Sequence, residues 1–325
     1  MSLKQKTLSG VRWTTLSSVV VVVAYLLQIS ILSRYLAKED FGIVSIAMVV
    51  LGLAQAFVDM GFSNAIIHKQ DATKIQLDTL YWLNIIAGFT IFGVLWLSAS
   101  SIALFYSETR LEDVLFWIAF NFVIQPFGIQ FKVLLQKELK FNTVSKIEIV
   151  GAIAGFLVAV TWAIMSPSAY ALVFGFLTTS FVTTFLFFAN GFKVNPPSFQ
   201  FKYAEVSDFM SFGMYQMGER IINYFNSQFD VLLIGKLLGT ETLGVYSIAK
   251  QLILRPAQVI NPIVTKVTFP VMAKMQNDIP QLRSIYIKTI NYLSSINFPI
   301  YGALFILAEP VVLVLFGEKW LDAVI

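Results

Sequence analysis

The side chains best placed to do chemistry cluster in one long apolar stretch. Between residues 209 and 238, Gln216, Glu219, Asn223, Asn226 and Asp230 recur at steps of three and four. At about 100° per residue they fall within about 80° of arc, one polar stripe on an otherwise apolar helix. A charge at the centre of a bilayer costs on the order of 2.5–3.5 kcal/mol on insertion scales, so the stripe must meet water or partners rather than lipid. The next stretch adds Ser247, Gln251, Arg255 and Gln258 on one face, with Lys250 to the side. Amides suit hydroxyl groups and guanidinium suits anions, so this is chemistry for recognition rather than bond-breaking. The chain has no cysteine and one histidine, His68, which excludes disulfides, thiolate metal sites and a His cluster. Glu108, Glu112 and Asp113 read as a solvated loop face, not a catalytic group.

These residues need a scaffold, and the composition specifies which kind. The 325 residues are 57% hydrophobic and 13% charged, whereas soluble domains carry about 25% charged residues. So few charges cannot cover a water-soluble surface of this size. Nine stretches have the roughly 20 apolar residues a spanning helix needs: 11–33, 41–67, 80–105, 114–135, 147–164, 169–188, 209–238, 243–270 and 285–308. The first is too long for a cleaved signal peptide and lacks a small-x-small site after it. Fifteen Lys and Arg then fall on one side and five on the other, with Arg220, Lys250 and Arg255 inside spans. The positive-inside rule places the N-terminus in the cytoplasm. The net charge of +4 therefore reads as orientation in a membrane, not as affinity for nucleic acid.

The seventh and eighth spans are expected to form a hairpin turning near Gly239. Asp230 then lies opposite Lys250, which reads equally as a structural ion pair. Arg255 lies near Arg220 and Asn223, with Glu219 as the acid at hand, an arrangement suited to an anion. Pro256, Pro262 and Pro270 are expected to interrupt and kink the eighth span. Gly151 and Gly155 form a GxxxG motif expected at a helix contact. Asn121 and Gln125 precede Pro126 in the fourth span and face either a cavity or a neighbouring helix. Residues 190–207, with Pro196 and Pro197, read as a stiff polar connector.

The sequence also repeats itself. ILSRYLAKEDFGIVSIAM from residue 31 matches LIGKLLGTETLGVYSIAK from residue 233 at an offset of 202, with Gly42/Gly244 and Ser45/Ser247 among the identities. With one small gap, ASSIALFYSETRLEDV from Ala99 matches AEPVVLVLFGEKWLDAV from Ala308. Six spans per unit make the repeat parallel, and parallel repeats place their site between the lobes near mid-membrane. The expected fold is all-α and polytopic, with an N-terminal lobe at 1–190, a linker at 191–207 and a second lobe at 208–325. On the repeat offset the second lobe is expected to continue past Ile325, so the chain is expected to be a truncated protein or fragment.

LSRYLAKEDFGIVSIA, SFGMYQMGERIINYFNSQFDVLLIGKLLGTETLGVYSIAKQL and LAEPVVLVLFGEKW together resemble the Wzx-type polysaccharide-unit flippases of the MOP exporter superfamily. The resemblance covers essentially the whole chain. It implies a MATE-like V of two six-helix lobes, no cofactor and no enzymatic step. It implies a bacterial inner-membrane protein that passes an undecaprenyl-diphosphate-linked oligosaccharide to the outer leaflet, beside polysaccharide polymerase machinery. Arg255, Arg220 and Lys250 would then meet phosphate or acidic sugars, and Asn223, Asn226, Gln251 and Gln258 would meet hydroxyls. Asp230 or Glu219 would couple transport to H+ or Na+. Two other readings stand beside it: a cation-coupled MATE-like exporter of small molecules, and a membrane enzyme of polysaccharide synthesis. The second lacks a large outer loop or a reachable acid pair, and a cationic second lobe disfavours cationic drugs as cargo.

Overall fold

The structure, a computed structural model, describes residues 3–59, 63, 66–67, 72–275 and 278–324. Among these residues the regular elements are all helical. In chain order they are α1 (Leu3–Tyr35), α2 (Lys38–Asp59), α3 (Lys74–Tyr106), α4 (Arg110–Ala119), α5 (Asn121–Ile124), α6 (Pro126–Lys137), α7 (Phe141–Met165), α8 (Tyr170–Phe192), α9 (Ser207–Leu237), α10 (Gly239–Lys274), α11 (Ile279–Ile306) and α12 (Ala308–Phe316). Short 3-10 turns cover Tyr203–Val206 and Glu318–Val324. The chain divides into two compact units, Met1–Gly244 and Val245–Ile325.

Five of the described helices are long and apolar enough to cross a membrane, or seven if each of two bent pairs counts as one span. The chain is a polytopic membrane protein. α9 and α10 fall outside that number, and the reason is the polar residues picked out above, which dilute their apolar runs.

In the first unit, Thr73 and Gln76 start α3 with a reciprocal capping box. α1 and α8 both pack on α7. The GxxxG motif is where α7 and α8 touch: a Cβ on Gly151 would strike the Thr183 methyl, and one on Gly155 would strike the Thr179 hydroxyl. Small residues here let two backbones approach. The fourth expected span is broken into α4, α5 and α6, with a bend of 50° at Pro126. Proline supplies no amide to the carbonyl four residues back; that carbonyl, on Phe122, is turned toward Gly88 of α3.

The prolines of the eighth span behave differently from expectation. α10 runs unbroken from Gly239 to Lys274 through Pro256, Pro262 and Pro270. Each proline removes one donor, and the flanking turns retain theirs, so 36 residues stay helical. In the second unit the Tyr301 hydroxyl donates to the Ile253 carbonyl at 3.0 Å, tying α11 to α10. The chain then turns by 77° between α11 and α12, at the end of the expected ninth span. The repeat equivalent of this bent pair is the single long helix α3.

Candidate substrate-binding stripe and the clasp that holds its helix

α9 sits on α2 through one face. The Tyr224 hydroxyl donates toward the Met48 and Val49 carbonyls at 3.3 and 3.2 Å. Val231 is buried, and the backbone at Gly235 lies against Ile46. At about 100° per residue, this face stands about 130° round the helix from the mean direction of Glu219, Asn223, Asn226 and Asp230. The stripe therefore faces away from α2.

Glu219, Asn223 and Asn226 are exposed, while Arg220 and Asp230 are half-buried. The side chain of Gln216 lies outside the described residues. In the second unit Lys250, Gln251 and Arg255 are half-buried and Gln258 is exposed. The Lys250 ammonium lies 5.9 Å from the centroid of the Tyr246 ring, one turn earlier on α10. The structure thus gathers Glu219, Arg220, Asn223, Asn226 and Asp230 on one helix of the first unit. Lys250, Gln251, Arg255 and Gln258 belong to the second.

The turn between α9 and α10 is held by a cluster that sequence reasoning missed. Gly239 provides the turn with φ +82°. The Lys236 ammonium donates to the Phe105 carbonyl and lies 4.8 Å from the centroid of its ring. The Thr240 hydroxyl reaches Glu108 at 3.4 Å, and Lys38 meets Glu241 at 4.0 Å. Arg110 grips Glu108 through Nε at 3.1 Å and a terminal nitrogen at 3.3 Å, and also reaches Asp40 at 3.6 Å. Glu108 is therefore part of an ion-pair clasp rather than a purely solvated loop residue. Burial pushes its pKa up, but the Arg110 hydrogen bonds and charge, with the Thr240 hydroxyl, outweigh that and hold it below the ordinary range. Glu112 and Asp113 are exposed, as expected.

The connector is also anchored rather than free-standing. Its Ser198 hydroxyl donates to Asp78 and its Pro196 carbonyl accepts from Lys74. Lys74 pairs with Asp78 at 2.7 Å. Trp82 donates to the Ser198 carbonyl at 2.9 Å and stacks on Phe199 at 5.0 Å between centroids. Gln76 donates to the Glu205 carbonyl, and the Lys202 amide donates to the Thr79 hydroxyl. The first two turns of α3 thus form a seat for residues 196–205. Asn121, the other polar candidate, is buried and linked to Gln125 of its own span at 3.2 Å and to Ser180 of α8 at 2.5 Å, so it ties α5 to α8.

A polar-striped helix clasped into a bundle of apolar helices is a transporter-like arrangement, and comparisons identify its relatives. The sequence profile of the family described as polysaccharide biosynthesis protein matches residues 31–325. The chain belongs to this Wzx-type polysaccharide-export family. It is 34% identical over 320 residues to the lipopolysaccharide biosynthesis protein WzxC of Escherichia coli (strain K12), covering 98% of this chain and 65% of that protein. It is 35% identical over 323 residues to the teichuronic acid biosynthesis protein TuaB of Bacillus subtilis (strain 168), covering 99% of this chain and 67% of that protein. The chain of this family member therefore spans about two thirds of the length of both relatives. Its fold matches the inward-facing conformation of a multidrug resistance MATE family transporter of the MOP superfamily, with a TM-score of 0.64 at 16% identity, over 94% of this chain and 78% of that one.

Proposed function

We propose that this polysaccharide-export family member moves an undecaprenyl-diphosphate-linked oligosaccharide across the bacterial inner membrane by alternating access, with its N-terminus in the cytoplasm. The observation that carries this reading is the stripe on α9, which faces away from α2 and would be costly against hydrocarbon. An aqueous path between two lobes, 1–190 and the part from 208 onward, with 191–207 linking them, accommodates it. Arg255 and Arg220 take the diphosphate or acidic sugars through charge-assisted hydrogen bonds. Asn223, Asn226, Gln251 and Gln258 hydrogen-bond sugar hydroxyls. Asp230 or Glu219 takes up the coupling H+ or Na+, with Lys250 as a further coupling candidate. The clasp around Glu108 and Arg110 closes the outer end, and the flipped unit passes to a polymerase. Export of small molecules is the second reading, favoured by the fold shared with a multidrug transporter.

The test is Arg255→Ala in the intact cellular protein. Surface polysaccharide should be lost while the amount of protein in the membrane stays the same. Normal polymer output from a strain relying on that variant would remove Arg255 from the site.

A further inference from the structure

A groove of about 420 Å³ lies where α2, α3 and α9 meet. Its walls include Val49, Leu53 and Phe57 of α2, Val94 of α3, and Phe225 and Leu232 of α9. Tyr224 and Gln228 also line it, but the Tyr224 hydroxyl is engaged with the α2 carbonyls. The surface that the groove exposes is almost wholly hydrocarbon, which offers water too few partners to hold it in place. Phe57, Val94 and Phe225 are 37%, 54% and 44% exposed and form an open lip.

Two facts say what lies beyond that lip. α2 and α3 both have the length and apolarity of membrane spans, and the groove residues lie within those spans, in the C-terminal halves of α2 and α3, with residues 224–232 of α9 facing them. The groove therefore opens sideways at the depth of the bilayer's hydrocarbon. We propose that it holds one acyl chain of a bilayer phospholipid, wedged between α9 and the α2–α3 pair.

The choice of a phospholipid over the tail of the cargo rests on the proposed role of the stripe. On α9 the groove side chains point about 180° from Glu219, Asn223, Asn226 and Asp230, taking about 100° per residue. A molecule with its headgroup on the stripe cannot lay its tail in the groove without wrapping the helix. The acyl-chain site itself stands whatever the stripe binds.

The test uses the intact protein in phosphatidylglycerol–phosphatidylethanolamine vesicles doped with a phospholipid carrying a diazirine on one acyl chain. After illumination, adducts should be several-fold more frequent on the groove segments of α2, α3 and α9 than at Leu104, an exposed residue of α3. Leu53→Trp, which fills the groove, should abolish that excess and leave labelling at Leu104 unchanged. Ala54→Phe gives the same reading if the first variant misfolds. Groove labelling no higher than at Leu104, or unchanged by both filling variants, would overturn the site. Displacement by unlabelled polyprenyl phosphate would overturn the phospholipid assignment. Because surface polysaccharide is scored separately through Arg255, failure of this site and failure of the flippase reading are distinguishable.

Discussion

Gly42 and Gly244, equivalent positions of the repeat, meet each other's segments reciprocally. A Cβ on Gly42 would overlap the carbonyl of Thr240, and a Cβ on Gly244 would overlap the carbonyl of Lys38. Lys38 and Thr240 are themselves separated by the repeat offset of 202. The two copies of the segment thus touch across a local two-fold relation, and each glycine is needed for the other copy's backbone to come close.

Either Gly42→Leu or Gly244→Leu should force these backbones apart. Overpacking of this kind costs about 1–3 kcal/mol, and a drop of roughly 2–6 °C in melting temperature follows for a chain of this size. Tryptophan-fluorescence melts in detergent would measure it. The local two-fold makes a second demand: the two variants should be affected alike. A large effect at one position and none at the other would contradict the reciprocity.

Acid should loosen the clasp through Glu108. Its folded pKa is lowered, so its contribution is present above its unfolded value and is lost as pH falls through the folded one. Wild type should therefore lose more stability than Glu108→Gln on going from about pH 6 to below pH 4. The difference is expected to be under about 1 kcal/mol, and smaller in high salt, because the group is partly solvated. Parallel pH–stability curves for the two proteins would show that Glu108 is not bound in the way described.

The contact of α7 with α8 should be graded by side-chain size at Gly155. Gly155→Ala should already destabilise, since even a Cβ strikes Thr179, and Gly155→Leu should reduce the folded fraction further. Ala scoring at or above wild type in the same melts would mean that the Thr179 side chain moves aside freely. That result would reduce the GxxxG motif to a coincidence of composition.

How far the sequence discloses all this depends on the kind of signal. The long helices follow from hydrocarbon, which demands about 20 apolar residues per crossing, so α3, α7 and α8 lie where periodicity and hydropathy place them. The stripe on α9 is legible because five polar residues share one helical face. What it confronts is not legible, since the facing groups come from segments far apart in sequence. Helix breaks are the least legible feature, in both directions. Pro256 and Pro262 read as interruptions yet lie inside α10, whereas the turn of 77° before α12 has Pro310 in its following first turn, where proline is tolerated. The clasp was invisible for a simpler reason: Asp40, Glu108, Arg110 and Thr240 come from three separate parts of the chain, and Glu108 next to other acids looks like an ordinary loop.

The seat for the connector on α3 leads to a prediction about its protection. Asp78 is 1% exposed and accepts from Lys74 and Ser198, so removing it strands two donors. Trp82 supplies the stacked ring beneath Phe199. Lys193 and Lys202 give trypsin two places to cut within the connector. In wild type, cleavage at Lys202 requires the strap to lift, because its amide is bonded to Thr79, and cleavage by way of local opening tracks the opening free energy when reclosing is fast. Losing about 1–2 kcal/mol of strap contacts through Asp78→Ala with Trp82→Ala should raise the cleavage rate at Lys202 by roughly 5–30-fold. Cleavage at Lys193, outside the stretch seated on α3, is the internal control and should change less. Equal acceleration at both sites would mean that the whole connector had loosened or the bundle had unfolded. No acceleration at Lys202 would mean that the strap contributes nothing to holding it. A strap that behaves as predicted fixes the start of α9 to α3, so any movement of α9 must pivot from that seat rather than draw out slack from the connector.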